Sequence, residues 1–141
     1  MIEKQFTLYL ENKPGALASV TRMLAVGKVN IEGISAATSS DVGLIQIVTS
    51  DTATTRKLLN RAKVPFTVQD VALLPLSNRP GALADIIAYL AKSGVNVNYV
   101  YATACGCRSA DCRCYAVISA PDLKKVEKAW KATADASRGG K

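Results

Sequence analysis

Leu10-Glu11-Asn12-Lys13-Pro14-Gly15-Ala16-Leu17 and Leu76-Ser77-Asn78-Arg79-Pro80-Gly81-Ala82-Leu83 are near copies set 66 residues apart, and no other feature constrains the fold as much. The chain is a tandem repeat. In each copy an apolar run ends at an Asn, a basic residue follows, and Pro-Gly opens a segment with helical apolar spacing. This pattern predicts a strand, a tight turn and a helix start, with Pro at the first helical position, where its missing N–H is not needed. The Gly beside it leaves the backbone bare at a helix N-terminus, whose free N–H groups and positive dipole end attract carboxylates. Each copy thus carries the frame of a small-anion pocket, built from Asn12, Pro14, Gly15, Ala16 and Leu17 and again from Asn78, Pro80, Gly81, Ala82 and Leu83.

In chain order, Phe6, Leu8 and Leu10 alternate as one face of a half-buried strand. From Pro14 to Val26, Leu17, Val20, Met23 and Leu24 form an amphipathic stripe that Gly27 ends. Residues 29–37 and 44–49 are rich in Val and Ile and flank a polar loop, the pattern of a hairpin. Asp51-Thr52 can cap a second helix that stops before Pro65. The run from Phe66 to Leu76 has no polar or Gly-rich linker, so the first repeat's last strand flows into the second repeat's first. The second copy follows the same order: Leu83, Ile86, Ile87 and Leu90 are inward, Gly94 is at the helix end, 95–102 and 115–119 are strands, and Pro121-Asp122 opens a last helix. Nothing after Trp130 resembles a strand, so the second repeat lacks a clear fourth strand and Val71 to Leu76 is left as an edge wanting a partner. The expected fold is α+β: two ferredoxin-like βαββαβ repeats, at 1–70 and 71–131, with antiparallel sheets carrying helices on one face. The tail at 132–141 reads as disordered.

Composition narrows the function. At 141 residues and 49% hydrophobic content the chain can bury a core as two small lobes. No charge-poor apolar run approaches 18 residues and no signal-type segment opens the chain, so a membrane span is not expected and the setting reads as cytoplasmic. The formal charge is +7, but the basic residues are scattered, thickening only at Lys124, Lys125, Lys128 and Lys131. Without an aromatic-plus-basic strand motif this reads as a solvated helix face, and nucleic acid is not the favoured partner. With no His in the chain, His-based acid–base chemistry and His metal ligands are excluded.

The wording Asn-Lys/Arg-Pro-Gly-Ala-Leu, followed by Val29-Asn30-Ile31 or Val95-Asn96-Val97 at the next strand, resembles the ACT domain, the small-molecule-binding regulatory module of amino-acid metabolism. The resemblance covers both repeats, roughly residues 1–131. In serine-binding members of that family the Asn before Pro-Gly and the Asn opening the second strand, 18 residues on, hold the amino acid; Asn12 with Asn30 and Asn78 with Asn96 keep that spacing. The family's His ahead of the first Asn is Leu10 or Leu76 here, so serine itself is not implied. Chemistry supports the assignment, because an Asn amide can accept from an ammonium and donate to a carboxylate. The same Asn residues also suit plain structural work, capping a helix or a strand-start loop.

The second repeat's hairpin holds Cys105, Cys107, Cys112 and Cys114 around Arg108 to Asp111. With the turn there, Cys107 faces Cys112 and Cys105 faces Cys114, all four thiols on one side, a set that suits zinc or iron. Reduced thiols and cross-strand disulfides are the rival states, the latter disfavoured in a reducing compartment. No base accompanies any Cys, so no catalytic reading arises. The sequence therefore predicts a non-enzymatic sensor that binds an amino acid, assembles as a homodimer and regulates another polypeptide. The alternative is a metal- or thiol redox-responsive protein working through the four-Cys hairpin.

Overall fold

The computed structural model describes residues 1–103 and 113–138. Its elements are β1 (Ile2–Glu11), α1 (Ala16–Val26), β2 (Ile31–Ser39), β3 (Val42–Thr49), α2 (Thr52–Arg61), β4 (Phe66–Ser77), α3 (Ala82–Lys92), β5 (Tyr99–Thr103), β6 (Arg113–Ser119) and α4 (Leu123–Arg138). The strands follow the antiparallel order β2-β3-β1-β4-β6-β5, so the class is α+β as the repeat pattern predicts. The chain divides into two compact units, Lys4–Asp70 and a second made of Met1–Glu3 with Val71–Lys141.

In the first unit, period-2 alternation along β1 and β3 sends Phe6, Leu8, Ile45 and Ile47 to one side, where Val20 and Leu24 of α1 and Leu59 of α2 cover them. All of these are at most 5% exposed. Phe6 and Phe66 stack obliquely with centroids 5.6 Å apart, and the Arg56 guanidinium lies 5.8 Å from the Phe6 ring. Gly27 is the C-cap residue of α1, where the sequence reading ends the helix. Gly27 has an ordinary φ of −74°, and the left-handed residue after α1 is Lys28 at φ 58°. A Cβ at Gly27 would lie 2.5 Å from Leu58 Cδ1, so the bare backbone there lets α1 and α2 approach without turning the Leu58 side chain aside. In the second unit the corresponding left-handed position is Gly94, at φ 66°.

The second unit packs Ala72, Leu74 and Leu76 of β4 and Ala116 and Ile118 of β6 beneath Ile86 and Leu90 of α3 and Val126 and Ala129 of α4. Trp130 Nε1–H donates to the Pro75 carbonyl at 2.7 Å, tying α4 to the strand. The strand expected at 95–102 begins only at Tyr99, because the segment before it makes its first sheet contact at Asn98 N–H, which donates to the Ser119 carbonyl at 2.8 Å. α4 runs on to Arg138, so the tail read as disordered from 132 is helical to that point.

The missing fourth strand is supplied from the other end of the chain. Met1 and Leu73 exchange both backbone bonds, Leu73 N–H to the Met1 carbonyl at 2.8 Å and Met1 N to the Leu73 carbonyl at 3.3 Å, the signature of an antiparallel pair. The Met1 ammonium also lies 3.2 Å from Glu127 Oε1 on α4. In the first unit the opposite end of the same two strands is joined by Tyr9 N–H and the Pro65 carbonyl at 3.0 Å. β4 runs unbroken from one unit into the other, as the linker-free run from Phe66 to Leu76 predicts; β1 does the same, which the repeat pattern did not reveal, and the bare Val71–Leu76 edge expected from that pattern is covered at Leu73.

Candidate functional site

The two Pro-Gly turns share one geometry. Ala16 N–H reaches back to the Lys13 carbonyl at 3.4 Å, and Ala82 N–H to that of Arg79 at 3.4 Å. Gly15 holds φ 89°, ψ −17° and Gly81 φ 89°, ψ −15°. Proline second and a left-handed glycine third make each a type II turn, which a side chain at the third position would strain. The glycine carbonyl then accepts the first helical bond, from Ser19 and Asp85 N–H respectively, both at 2.9 Å. The helix therefore starts after the glycine. Pro14 and Pro80 lie in the turn rather than at the first helical position, since a residue at positive φ cannot continue a right-handed helix.

Neither turn gives its helix a side-chain cap. The other two helices have one: Asp51 accepts from Thr54 N–H at 2.9 Å and Asp122 from Lys125 N–H at 3.1 Å. Beyond Ala16 and Ala82, whose N–H groups close the turns, the first-turn N–H groups of α1 and α3 thus have no side-chain cap. The flanking charges differ. Lys13 Nζ lies 2.8 Å from Glu11 Oε2. That hydrogen bond and the charge behind it lower the Glu11 carboxyl below its ordinary range and raise the Lys13 ammonium. Arg79 instead bridges forward, donating to Asp85 Oδ2 at 2.7 Å and to the Pro80 carbonyl at 3.1 Å. Asp85 stands in the first turn of α3, whereas that of α1 holds no acid. Leu17, grouped in the sequence with the core, is 38% exposed beside its turn; Ala82 is buried and Leu83 half-buried.

The asparagines separate. Asn12 lies at the β2–β3 hairpin, its N–H donating to the Asp41 carbonyl at 2.8 Å and its Nδ2 to that of Ser40 at 3.2 Å. Asn30 lies at the other end of β2, where it exchanges bonds with Ser50, both at 3.0 Å. The 11-residue α1, about 16 Å long, runs between them, so one unit does not bring Asn12 and Asn30 to the same small ligand. Asn78 and Asn96 are separated likewise by α3, which spans 82–92. The side-chain amides of Asn30 and Asn96 are exposed, with no protein partner among the described residues.

The profile of the ACT domain pair matches residues 1–112. The chain belongs to the ACT domain pair family. Among solved structures, this ACT pair is similar to protein BT0572 from Bacteroides thetaiotaomicron, at 29% identity and TM-score 0.81 over 95% of this chain and 90% of that one. It also shares the fold of the ligand-free regulatory subunit of aspartate kinase from Thermus thermophilus, at 16% identity and TM-score 0.66 over 95% and 92% of the two chains. The regulatory subunit of aspartate kinase from Thermus flavus follows at 17% identity and TM-score 0.59, with 96% and 95% covered. No curated protein sequence matches. Among the described residues no helix is long and apolar enough to cross a membrane.

Two further observations qualify the sequence reading of this ACT pair. Cys105, Cys107 and Cys112 lie outside the described residues; Cys114 is a free, half-buried thiol on β6 opposite Leu76. The last described β5–β6 pair is Thr103 with Tyr115, so the expected facing of Cys105 with Cys114 and of Cys107 with Cys112 lies outside the described residues. The second concerns Asn98, which the sequence reasoning passed over. It precedes β5 as Asn30 precedes β2, and its Nδ2 lies 3.5 Å from the Ser119 hydroxyl. The Asn-x-Asn doublet at 96 and 98 held that signal, but the 18-residue spacing selected Asn96.

Proposed function

We propose that this ACT pair is a regulatory module that binds a free amino acid at its Pro-Gly turns and acts on another polypeptide, without chemistry of its own. The observation that carries this reading is the contrast in capping: the two repeated helices start uncapped behind identical left-handed glycines, while α2 and α4 are capped by Asp51 and Asp122. An open helix N-terminus offers N–H donors and positive potential to a carboxylate. The exposed amides of Asn30 and Asn96 are suited to the ligand's ammonium and carboxylate. The regulatory role of the aspartate kinase subunits is extended to this chain as part of the same proposal.

Because Asn12 and Asn30 stand at opposite ends of a strand, a pocket using both takes one from a second copy, and we propose a homodimer on that ground rather than on a bare sheet edge. A thermal-shift screen of the twenty amino acids tests the first claim: at least one raises the melting temperature, and Asn30→Ala weakens its binding by roughly tenfold to a hundredfold. No shift with any amino acid overturns the reading. Light scattering tests the second, against a chain mass of 14.9 kDa. A particle of twice that mass supports the dimer, and the monomer mass with and without the ligand found in the screen overturns it.

A further inference from the structure

Under the 66-residue repeat, Ser19 and Asp85 are equivalent positions, each four residues after its left-handed glycine and each exposed. Both donate their N–H to that glycine's carbonyl at 2.9 Å, so the two side chains leave their helices from the same place in the first turn. The N–H groups of Leu17 and Ala18 in α1, and of Leu83 and Ala84 in α3, precede this first helical bond. They are the donors that a helix start offers to an anion.

Each turn has a cation and an anion paired beside it, and the placement of the pair differs. Lys13 is turned back to Glu11, which precedes the turn, at 2.8 Å. Arg79 runs the other way, across its turn: Nη1 donates to the Pro80 carbonyl at 3.1 Å and lies 3.5 Å from where a Gly81 Cβ would stand, while Nη2 donates to Asp85 Oδ2 at 2.7 Å. Over Gly15 the corresponding space holds nothing within 4 Å among the described residues. A guanidinium and a carboxylate of the chain therefore already meet beside the helix start of the second turn, where an incoming carboxylate would find both the positive dipole end and the nearest cation.

We propose that Asp85 is an internal stand-in for the carboxylate of a ligand, an autoinhibitory contact that holds Arg79 and makes the second turn the weaker of the chain's two anion sites. The proposal rests on the reading of the turns as amino-acid sites and adds their order of filling. The first turn loads first, and the second loads when a ligand's carboxylate takes the place of Asp85 on Arg79. That exchange breaks one charge-assisted hydrogen bond and forms another, and the pair it breaks is half-exposed, with side chains 43% and 48% accessible. Water screens such a pair, so the contact lowers affinity by a small factor and does not block the site.

The probe is acetate, which carries the carboxylate alone, so the test does not depend on which amino acid is bound. The amide resonances of Leu17 and Ala18 and of Leu83 and Ala84 are followed by heteronuclear NMR of the full chain as sodium acetate replaces sodium chloride at constant ionic strength. Half-saturation is expected at the first turn at about two- to fivefold less acetate than at the second. Exchanging the side chains moves the order: Asp85→Ser brings the second turn's half-saturation to that of the first or below it, and Ser19→Asp raises the first turn's by about two- to fivefold. The same spectra show whether each variant is folded, and Asp85→Asn repeats the second-turn measurement if Asp85→Ser is not. Equal half-saturation at the two turns of the wild type overturns the proposal, as does a second turn unmoved by loss of Asp85, or acetate binding at neither turn. Acetate binding in the expected order, with no amino acid scoring in the thermal screen, supports the contact and overturns the amino-acid reading instead.

Discussion

The turn at Lys13-Pro14-Gly15 and the turn at Arg79-Pro80-Gly81 have the same backbone to within 2° of ψ, yet their side chains leave them electrostatically different. In the first, the cation folds back onto Glu11 and the helix start is bare of acid; in the second, the cation reaches forward to Asp85, so a carboxylate of the chain already stands over the helix start. Backbone geometry is fixed by the proline and glycine, while the field an incoming anion meets is set by residues one turn away. On the proposed function the first turn is the better carboxylate site, and the second is partly occupied from within.

Four experiments sharpen or break this comparison, beginning with the largest effect. Leu24 and Leu90 occupy equivalent helix positions and are both fully buried. Truncating either to Ala is expected to cost about 2–5 kcal/mol in denaturant titration. Costs that differ by more than that spread would show that the units are not energetic equivalents. Next, Gly15→Ala and Gly81→Ala each place a side chain at φ 89° and are expected to cost about 1–2 kcal/mol. Around Gly15 a Cβ meets nothing within 4 Å, and around Gly81 it meets the Arg79 Nη1 at 3.5 Å, so both costs come from the backbone and should agree.

The third experiment addresses the shared strand. In a chain whose residues 1–3 are replaced by Gly-Ser-Gly, the Leu73 amide should exchange with solvent faster, losing up to about 1.5 kcal/mol of protection, while Tyr9, bonded to Pro65, keeps its own. Equal acceleration at both amides would mean that the two ends of β1 do not serve separate units. The smallest effect is Asp85→Asn. Removing this half-exposed carboxylate frees Arg79 and should tighten amino-acid binding at the second turn by about two- to fivefold, measured by calorimetry of the amino acid that scores in the thermal screen. An unchanged second site would show that Asp85 does not compete there.

Much of this was legible in the chain. The 66-residue repeat, the period-2 runs of β1 and β3 and the stripes of α1 and α3 sufficed for the element order, because each records a local requirement: which face is dry and where φ must be positive. The turn glycines were legible for the same reason. Gly27 was legible as the end of α1, but its close approach to Leu58, 31 residues away in α2, was not. Asn30 and Asn12 looked like one site because sequence spacing carries no direction; the strand between them shows that they are at opposite ends.

The family, the α+β class and the positions of both turns could be read from the chain, since those follow from residue chemistry within a few positions along it. Pairings across space decided the rest: Met1–Glu3 complete the second unit, Arg79 is held by Asp85 and Lys13 is held by Glu11. The physical reason is that a strand's hydrogen-bonding partner and a side chain's nearest opposite charge are set by pairings across space, and a one-dimensional pattern records the capacity for such a pairing without naming the partner.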